Sequence, residues 1–348
     1  MNRTRILVTL AVAAVLAVLV YLQFRAWKEF DWALMFAQLR RADPLRLLAA
    51  AALIYSTYFL RALRWMIFLR PVRAVSARRL VAPTIIGFTG LALLGRPGEL
   101  IRPYLIARKE GLPLSSQIAV WTVERIFDVG AVAVLLALVV FSGSLTSIPF
   151  FQRSPSALER LHEFAYLMVG GVLAGALLAL MIRRRGTALA AALEKRLAPV
   201  SPRFAHHVAH RVQAFGEGLN TIHDLASFLQ VTGLSLLTWG LIALAYVQVT
   251  HAYPGLADIT LAHVTLLMVS SMVGSTLQLP AVGGGSQLAT IKVLEVIFAV
   301  RPELAVSSGI TLWVITFFSV TPVGLLLAHR EHVSLRQAEQ EAEAHIED

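Results

Sequence analysis

The chain has 348 residues, of which 57% are apolar, and it carries a formal net charge of +10. Its mean hydropathy of +0.69 is far above that of a soluble protein, and apolar runs of spanning length recur along it, so we predict a polytopic membrane protein without a separate soluble domain. The absence of cysteine excludes disulfides and thiolate metal sites, and in a membrane protein the basic charge indicates cytoplasmic loops facing anionic lipid rather than a nucleic-acid partner.

Six apolar segments predict full transmembrane helices. They are residues 6–24, 45–69, 116–141, 164–182, 228–249 and 304–328. The first follows Arg3 and Arg5, as the core of a signal peptide would. Its apolar core is long, however, and no small-residue cleavage site comes after it, so we interpret it as an uncleaved helix.

Two further apolar segments are interrupted by helix-breaking residues. The first, 80–94, stops at the sequence GRPG and resumes over 99–107. The second, 261–279, stops at the sequence PAVGGG and resumes over 287–300. Interrupted helices in corresponding places of two halves point to a transport site, because irregular backbone at membrane depth must be buried in protein or line a polar cavity.

Basic residues predict the orientation, because lysine and arginine accumulate in cytoplasmic loops. Residues 70–79 and 183–211 carry such clusters, whereas 251–259 has no lysine or arginine. The basic loop 25–41 argues the other way, but the larger cluster at 183–211 decides for both termini in the cytoplasm. Each interrupted segment must then enter and leave on one side of the membrane.

The predicted fold is therefore an all-α polytopic membrane protein with six full spans and two opposed re-entrant helical hairpins, in an inverted-repeat-like arrangement. The hairpins are placed at about 80–109 and 261–300, within a single integral membrane domain over 1–330. The alternative is eight full spans in which each break is only a kink. Residues 187–224 are predicted to be cytoplasmic amphipathic helices on the membrane surface. Residues 331–348 are predicted to be a short cytoplasmic tail, either a solvated helix or a frayed end.

The first break carries charge at membrane depth. Arg96, Glu99 and Arg102 lie three apart, so they are predicted to share one helical face, with Glu99 neutralising one arginine and leaving the other free. A helix beginning near Gly98 also presents unpaired N–H groups and the positive end of its dipole. Such a site favours a phosphate ligand. The alternative is an internal salt-bridge cluster near the cytoplasmic surface.

A second charged group lies inside the span 116–141. Glu124 and Asp128 are one turn apart on a shared face, and Arg125 is predicted to pair with Asp128. Two acids against one arginine leave a spare negative charge, which is predicted to pair Arg96 or Arg102 or to carry a proton. The alternative is a structural ion network between helices.

The second break is rich in glycine. Gly283, Gly284 and Gly285 allow a tight backbone and the close approach of a head group, and Gln287 opens the helix that follows. The alternative is a plain flexible turn. The glycines do not form a P-loop, since no Gly-Lys-Ser/Thr follows.

The remaining polar residues of the spans are given no functional role. Arg61 and Arg64, in the span 45–69, are predicted to snorkel to the cytoplasmic surface. No short catalytic motif is present, so we predict no catalytic residue, no cofactor and no metal site.

The stretch LLGRPGELIRPYLIARKEGLPLSSQIAVWTVERIFDV, residues 93–129, resembles the first signature of the lysylphosphatidylglycerol synthase transmembrane-region family. In that family a Gly-Arg-x-Gly-Glu-x-x-Arg segment precedes Glu-Arg-x-x-Asp in the next helix. The matching residues are Gly95, Arg96, Gly98, Glu99 and Arg102, then Glu124, Arg125 and Asp128. The stretches FGEGLNTI and LPAVGGG fall where the family has a cytoplasmic amphipathic helix and a second Gly-rich break, so the resemblance covers most of the chain.

The resemblance implies an integral inner-membrane protein related to the flippase half of multiple-peptide-resistance factors, which move aminoacylated phospholipids between leaflets. Two departures matter. The chain ends just after its last span, so the soluble aminoacyl-transferase domain is expected to be absent and lysylphosphatidylglycerol synthesis is not expected. Many relatives continue the second break as Gly-x-x-Glu, whereas this chain has Gln287 there, which argues against an acidic role.

The leading hypothesis is a flippase for a phosphate-bearing lipid or lipid-linked head group. The alternatives are a membrane enzyme acting on a lipid phosphate, with Glu124 or Asp128 as base, and a non-transporting partner in envelope-lipid biosynthesis. The expected partner is a membrane phospholipid or lipid-linked substrate, and an oligomer is compatible with the sequence. The identity of the lipid, phospholipid, aminoacyl lipid, polyprenyl phosphate or hopanoid, is left open by the sequence.

Overall fold

The computed structural model describes residues 30–199, 201–202, 204–206, 208, 224–279 and 283–347. The predicted first span, 6–24, and most of the second half of the predicted surface segment 187–224 lie outside these residues. The described α-helices are α1 Trp32–Arg41, α2 Pro44–Leu69, α3 Ala77–Leu94, α4 Ile101–Glu110, α5 Leu114–Phe141, α6 Pro149–Arg153, α7 Pro155–Leu197, α8 Leu225–His251, α9 Leu261–Gly274, α10 Gly285–Lys292, α11 Pro302–Trp313, α12 Val320–Arg330 and α13 Leu335–Glu347. Short 3₁₀ and π-helical turns and one pair of two-residue strands join them.

Five stretches of the described residues are long and apolar enough to cross a membrane. They are Pro44–Leu69, Ala77–Leu94, Pro155–Leu178, Leu225–His251 and Pro302–Arg330. Large apolar side chains such as Leu45, Leu138 and Leu167 point outward, as a surface that meets lipid requires. The predicted all-α polytopic membrane fold is confirmed, while the number of spans and the re-entrant course of the hairpins stay predictions.

Helix α5 is distinct from those five stretches. It has 28 residues, which exceeds the ~20 needed to span a bilayer, but it carries Glu124, Arg125 and Asp128 within its apolar sequence. It packs between α4, α7 and α8. Glu124 and Asp128 are buried inside the protein, whereas the Arg125 side chain is 36% exposed.

Side-chain caps fix where two central helices begin. The Asp43 carboxylate accepts a hydrogen bond from the N–H of Leu45 at 2.9 Å, and that of Asp224 accepts one from the N–H of Ser227 at 2.7 Å. The two helices that follow, α2 and α8, pack against each other along much of their length. This pairing determines which polar side chains of α2 and α8 meet inside the protein.

The first interrupted segment forms a helical hairpin. Helix α3 ends at Gly95, whose φ of 77° favours glycine, and a 3₁₀ turn over Arg96–Leu100 leads into α4, which packs back against α3. Glycine permits this approach: a Cβ on Gly98 would lie 2.6 Å from the backbone nitrogen of Leu91. The break is therefore a tightly packed reversal of the chain.

The second interrupted segment also folds back on itself. Helix α9 passes through a 3₁₀ turn to β1 Gln278–Leu279, which pairs antiparallel with β2 Gly283–Gly284 before α10 begins. Helices α9 and α10 are in contact, and a Cβ on Gly274 would lie 2.8 Å from that of Ala289. Both breaks thus produce helix pairs whose arms touch, which is the local geometry that a re-entrant hairpin needs.

Two π-helical turns follow the second hairpin. They span Val293–Ile297, directly after α10, and Val314–Phe318, between α11 and α12. Such turns are rare and are frequent at functional sites. The second one lies beside the central cavity described below.

Helix α7 contains the boundary between a predicted span and the predicted surface segment. Its backbone departs from helical geometry at Arg185, with φ −136° and ψ 25°, and the helix kinks there. Apolar residues precede the kink and basic residues surround it. The sequence placed the end of this span at residue 182 and the start of the surface segment at residue 187, on either side of the kink.

The C-terminal helix α13 packs against α4 and the first break. Ala338 is 3% exposed and belongs to a buried apolar cluster with Ile101 and Leu105. The Lys109 ammonium of α4 lies 2.6 Å from the carboxylate of Glu331, which precedes α13, and this ion pair joins α4 to the segment between α12 and α13. The sequence predicted either a solvated helix or a frayed end; α13 is a helix whose polar face is exposed, and small residues on its other face let it fit closely against the hairpin.

Candidate functional site

A buried ion cluster forms where α2, α4, α5 and α8 meet. Arg61 and Arg64 lie one turn apart on α2, facing Glu124 and Asp128, which lie one turn apart on α5. Arg102 approaches from α4. Residues three or four apart lie on the same face of a helix, so the two arginines of α2 can both contact the two carboxylates of α5.

Asp128 is bound by side chains from α2, from α8 and from its own helix α5. Its Oδ1 accepts hydrogen bonds from Arg64 Nη1 at 2.7 Å and from Trp239 Nε1 at 3.1 Å. Its Oδ2 accepts one from Arg61 Nη1 at 3.4 Å and lies 3.0 Å from Arg125 Nη2. The predicted pairing of Arg125 with Asp128 is confirmed.

Glu124 links the first hairpin to the cluster. Arg64 Nη2 and Arg102 Nη2 both make close contacts with its carboxylate, and Arg102 Nη1 lies 3.2 Å from Oε1. The predicted contact between an acid of α5 and an arginine of the hairpin is thus present, with Arg102 and Glu124 as the partners. Within the described residues, each of the four carboxylate oxygens of Glu124 and Asp128 accepts at least one of these bonds.

The prediction that Arg61 and Arg64 snorkel to the surface is wrong. The Arg64 side chain is fully buried and that of Arg61 is only 7% exposed, since both turn toward the carboxylates of α5. The sequence held a signal for this arrangement. Two arginines one turn apart deep in an apolar helix are costly unless they are paired, and the acids of α5 outnumbered the single arginine of their own helix.

The charge balance also reverses the prediction of a spare negative charge. Among the described residues, four arginines meet two carboxylates in this cluster, which leaves a formal charge of +2. The arginines are Arg61, Arg64, Arg102 and Arg125. A buried cationic excess is stabilised by an anion, so the cluster has the electrostatics of an anion site.

Arg102 and Arg96 do not share a face, contrary to the prediction. Arg102 is 4% exposed, with its guanidinium 4.4 Å from the ring centre of Trp65 and 5.5 Å from that of Phe88. Arg96 instead pairs with Glu99 at 3.3 Å and its side chain is 53% exposed. The 3₁₀ turn over Arg96–Leu100 explains the difference, because its tighter winding breaks the continuous α-helical face on which the prediction relied. Arg102 is also not the free guanidinium expected, since Glu124 pairs with it.

A cavity of about 400 Å³ lies beside the cluster and reaches both hairpins. Arg61, Arg125 and Asp128 line it from α2 and α5, and Arg96 and Glu99 line it from the first break. Residues of the second hairpin close the other side. The two breaks also meet directly, because Arg96 Nη2 donates a hydrogen bond of 3.4 Å to the backbone carbonyl of Ser275.

Of the described residues predicted to form a site at the second break, Gln287 lines the cavity and the three glycines do not. Gln287 lines the cavity, and its Oε1 accepts a hydrogen bond from the N–H of Gly284 at 2.8 Å. Gly283 and Gly284 pair with β1, and Gly285 begins α10, so these glycines shape the turn. They are not among the described residues that line the cavity. Gly98, at the first break, likewise permits close packing and does not line the cavity.

Two guanidinium groups at the cavity retain unused hydrogen-bonding capacity. Among the described residues, Arg61 makes one side-chain hydrogen bond, the 3.4 Å contact to Asp128, and its guanidinium lies 4.9 Å from the ring centre of Phe88. The Arg125 side chain is 36% exposed and its buried Nε has no partner within the described residues. Guanidinium groups bind phosphate through paired N–H donors, so Arg61 and Arg125 are placed to bind an anion in the cavity.

Sequence reasoning also missed two neutral residues of α8. Ser235 accepts a hydrogen bond from Arg64 Nη1 at 2.7 Å, and Trp239 donates to Asp128. Nothing in the local sequence of α8 distinguishes them, because a serine and a tryptophan are ordinary in an apolar span. Only the packing of α8 against α2 gives them their partners.

Comparison with known protein families identifies the chain. The model of the family described as "Lysylphosphatidylglycerol synthase TM region" matches residues 6–324, and the chain belongs to this family. No match was found among curated proteins or among solved structures. The resemblance seen in the sequence is confirmed, and the family makes the chain a multi-pass membrane protein of lipid or envelope biosynthesis.

Proposed function

We propose that this member of the lysylphosphatidylglycerol synthase transmembrane-region family is a flippase. It moves a phosphate-bearing lipid, or a lipid-linked head group, between the leaflets of the inner membrane, and both of its termini face the cytoplasm. The observation that carries the proposal is the cationic cluster beside a cavity that both hairpins line.

The charge of the cluster supports an anionic substrate. Four arginines against two carboxylates leave positive charge in a site largely removed from water, where electrostatic interactions are stronger than at a surface. Arg61 and Arg125 line the cavity, and within the described residues their hydrogen bonds and ion pairs do not use all of their N–H donors. A lipid phosphate would supply the missing negative charge and accept these donors.

The position of the cavity supports movement across the membrane. Transport requires a site that either side can reach in turn, and sites between interrupted helices serve this purpose in transporters. The described contacts between the two breaks include a single hydrogen bond, the 3.4 Å contact of Arg96 with the carbonyl of Ser275. A long bond from a half-exposed arginine is readily exchanged for a bond to a substrate.

The same geometry disfavours acid–base catalysis by Glu124 or Asp128. Their oxygens already accept bonds from arginine and tryptophan side chains, so neither carboxylate presents an unoccupied oxygen to the cavity. A general base must come within hydrogen-bond reach of the proton that it removes. The two acids instead position the arginines.

The proposal is tested in proteoliposomes with fluorescent phosphatidylglycerol, whose leaflet distribution is read by dithionite quenching. Arg125→Gln should slow lipid movement by on the order of tenfold or more, since a charged hydrogen bond contributes ~1.5–3 kcal/mol. Arg46→Gln is the matched control, because within the described residues the Arg46 side chain pairs with Asp43 alone, at 3.7 Å, and is 43% exposed. The melting temperature in detergent shows whether each variant is folded.

Three outcomes would contradict the proposal. Wild-type lipid movement in Arg125→Gln would remove the anion site from the mechanism. Mass spectrometry of the lipid after incubation separates a flippase from an enzyme, since a flippase leaves the lipid chemically unchanged. A scaffold protein would neither move nor alter the lipid.

A further inference from the structure

Two walls of the cavity between the hairpins differ in their chemistry. The charged wall, defined by Arg61, Arg125, Asp128, Arg96 and Glu99, comes from α2, α5 and the first break. The neutral wall comes from α9, α10 and the turn between them. Its polar residues are Ser271, Ser275, Thr276, Ser286, Gln287 and Thr290. No acidic or basic side chain of the described residues lines the cavity from this neutral wall.

Several hydroxyls of the neutral wall are oriented as acceptors. Ser275 Oγ donates to the carbonyl of Met272 at 2.6 Å, and Thr290 Oγ1 donates to that of Ser286 at 2.9 Å. A hydroxyl whose proton is used within its own helix still offers lone pairs to a ligand. The Gln287 carbonyl oxygen is occupied by Gly284, which leaves its NH₂ group as a donor. The neutral wall can therefore bind hydroxyl groups, which both donate and accept.

Each carboxylate of the charged wall lies beside at least one arginine. Asp128 accepts bonds from Arg61, Arg64 and Trp239, and Glu99 lies 3.3 Å from Arg96. An ammonium group in the cavity would approach a cluster that already has a formal excess of positive charge. Like charges at close range in a desolvated site are strongly unfavourable.

We infer that the head group bound in this cavity is a phosphate carrying an uncharged, hydroxyl-rich substituent such as glycerol or a sugar, and that a head group ending in an ammonium is disfavoured. This inference rests on the proposed function, because it names the substrate class of the same cavity. The phosphate contacts Arg61 and Arg125, and the hydroxyl groups contact the neutral wall. The volume of about 400 Å³ is within the range of small-molecule sites.

The test is a competition among three lipids for the full-length protein in nanodiscs. The discs contain equal amounts of phosphatidylglycerol, lysylphosphatidylglycerol and a glucosyl diacylglycerol that lacks phosphate, in a phosphatidylcholine background. Native mass spectrometry then measures which lipids stay bound. We expect phosphatidylglycerol to be retained over lysylphosphatidylglycerol by about tenfold, equivalent to ~1.4 kcal/mol.

A variant of the neutral wall makes the test specific to this surface. Gln287→Glu keeps the oxygen that accepts the bond from Gly284 and adds one negative charge facing the cavity, so the preference for phosphatidylglycerol should shrink several-fold. Gln230→Glu is the matched control, since Gln230 is exposed on α8 and bonds Arg70 at 2.8 Å. Its lipid preference should equal that of wild type. If Gln287→Glu does not fold, Ser271→Asp places the charge on the same wall from α9.

The outcomes separate this inference from the proposed function. Equal or stronger retention of lysylphosphatidylglycerol over phosphatidylglycerol, with the glucosyl lipid weak, would overturn the inference and leave a phosphate-lipid flippase intact. Retention of the glucosyl lipid as strong as that of both phosphate lipids would overturn the proposed function as well. An unchanged preference in a folded Gln287→Glu or Ser271→Asp variant would overturn the assignment of the head group to the neutral wall.

Discussion

Arg64 determines how tightly the ion cluster is organised. Its guanidinium contacts Glu124, Asp128 and Ser235, and the side chain is fully buried. Removing one partner of a buried ion network leaves uncompensated charge, which costs about 3–5 kcal/mol. In the part of the chain that the structure describes, Arg61 makes one hydrogen bond in the same cluster, at 3.4 Å, and contributes less to its cohesion.

We therefore predict different effects for the two arginines of α2. Arg64→Gln should lower the melting temperature in detergent markedly, and Arg64→Lys should also be destabilising, since an ammonium cannot reach three acceptors in a planar fork. Arg61→Gln should lower stability much less and impair lipid movement more. A thermal shift assay beside the flippase assay measures both. Equal stability losses in Arg64→Gln and Arg61→Gln would contradict this division of roles.

The contact between Arg102 and Glu124 is predicted to couple the hairpin to α5 energetically. Arg102→Gln and Glu124→Gln should each destabilise the protein, and the double variant should recover part of the loss, with a coupling of ~0.5–3 kcal/mol. Arg102→Gln with Asp128→Asn is the comparison cycle, because the described contacts of Asp128 do not include Arg102. If the coupling between Arg102 and Asp128 were as strong as that between Arg102 and Glu124, the pairing of Arg102 with Glu124 would not be specific.

At the scale of the elements, the first hairpin depends on the absence of a side chain at its break. Gly98 lies against the backbone of α3, and a Cβ there would be 2.6 Å from the nitrogen of Leu91. Backbone cannot move aside as the end of a flexible side chain can. The arms of the hairpin would have to separate, and with them Arg96 and Arg102, which line or support the cavity.

Gly98→Ala is accordingly predicted to destabilise the protein by ~1–3 kcal/mol, as overpacking does, and to reduce lipid movement. Gly170→Ala, in α7, is the control, because nothing lies within 4 Å of the added Cβ. Alanine is favoured over glycine in a helix by about 0.5–1 kcal/mol, so this variant should be neutral or slightly more stable. Melting temperatures test both, and equal values for Gly98→Ala and wild type would exclude close packing at the break.

For the whole molecule, the sequence predicted the features that arise from local chemistry. Helix breakers within apolar segments predicted both chain reversals, and charges within the span 116–141 predicted a buried ion group. The roles of Arg61 and Arg64 were missed: two arginines deep in an apolar helix indicate that partners are needed, but the local sequence does not say which residues those partners are. Their partners lie 60 to 67 residues away on α5, and only tertiary packing brings them together. The docking of α13 on the first hairpin was missed for the same reason.

The lengths of the hairpin arms predict the course of the two hairpins through the membrane. Helix α4 has 10 residues, ~15 Å at 1.5 Å per residue, which is about half of a ~30 Å hydrocarbon core, and it packs back on α3. The chain should therefore leave the first hairpin on the side where it entered. By the same argument, α10 returns along α9.

The cysteine-free sequence allows a direct test with single cysteines and a membrane-impermeant thiol reagent. Ser76 and Ser115 are exposed on either side of the first hairpin, and Asp258 and Arg301 on either side of the second. Ser76→Cys and Ser115→Cys should be labelled only from the cytoplasm, and Asp258→Cys and Arg301→Cys only from outside, because re-entrant hairpins keep both of their ends on one side. In a protein with eight full spans and two kinks, each pair would instead be split between the two sides. Labelling of Ser115→Cys from outside would thus replace the first hairpin by a full span, and the cavity would no longer lie between two opposed hairpins.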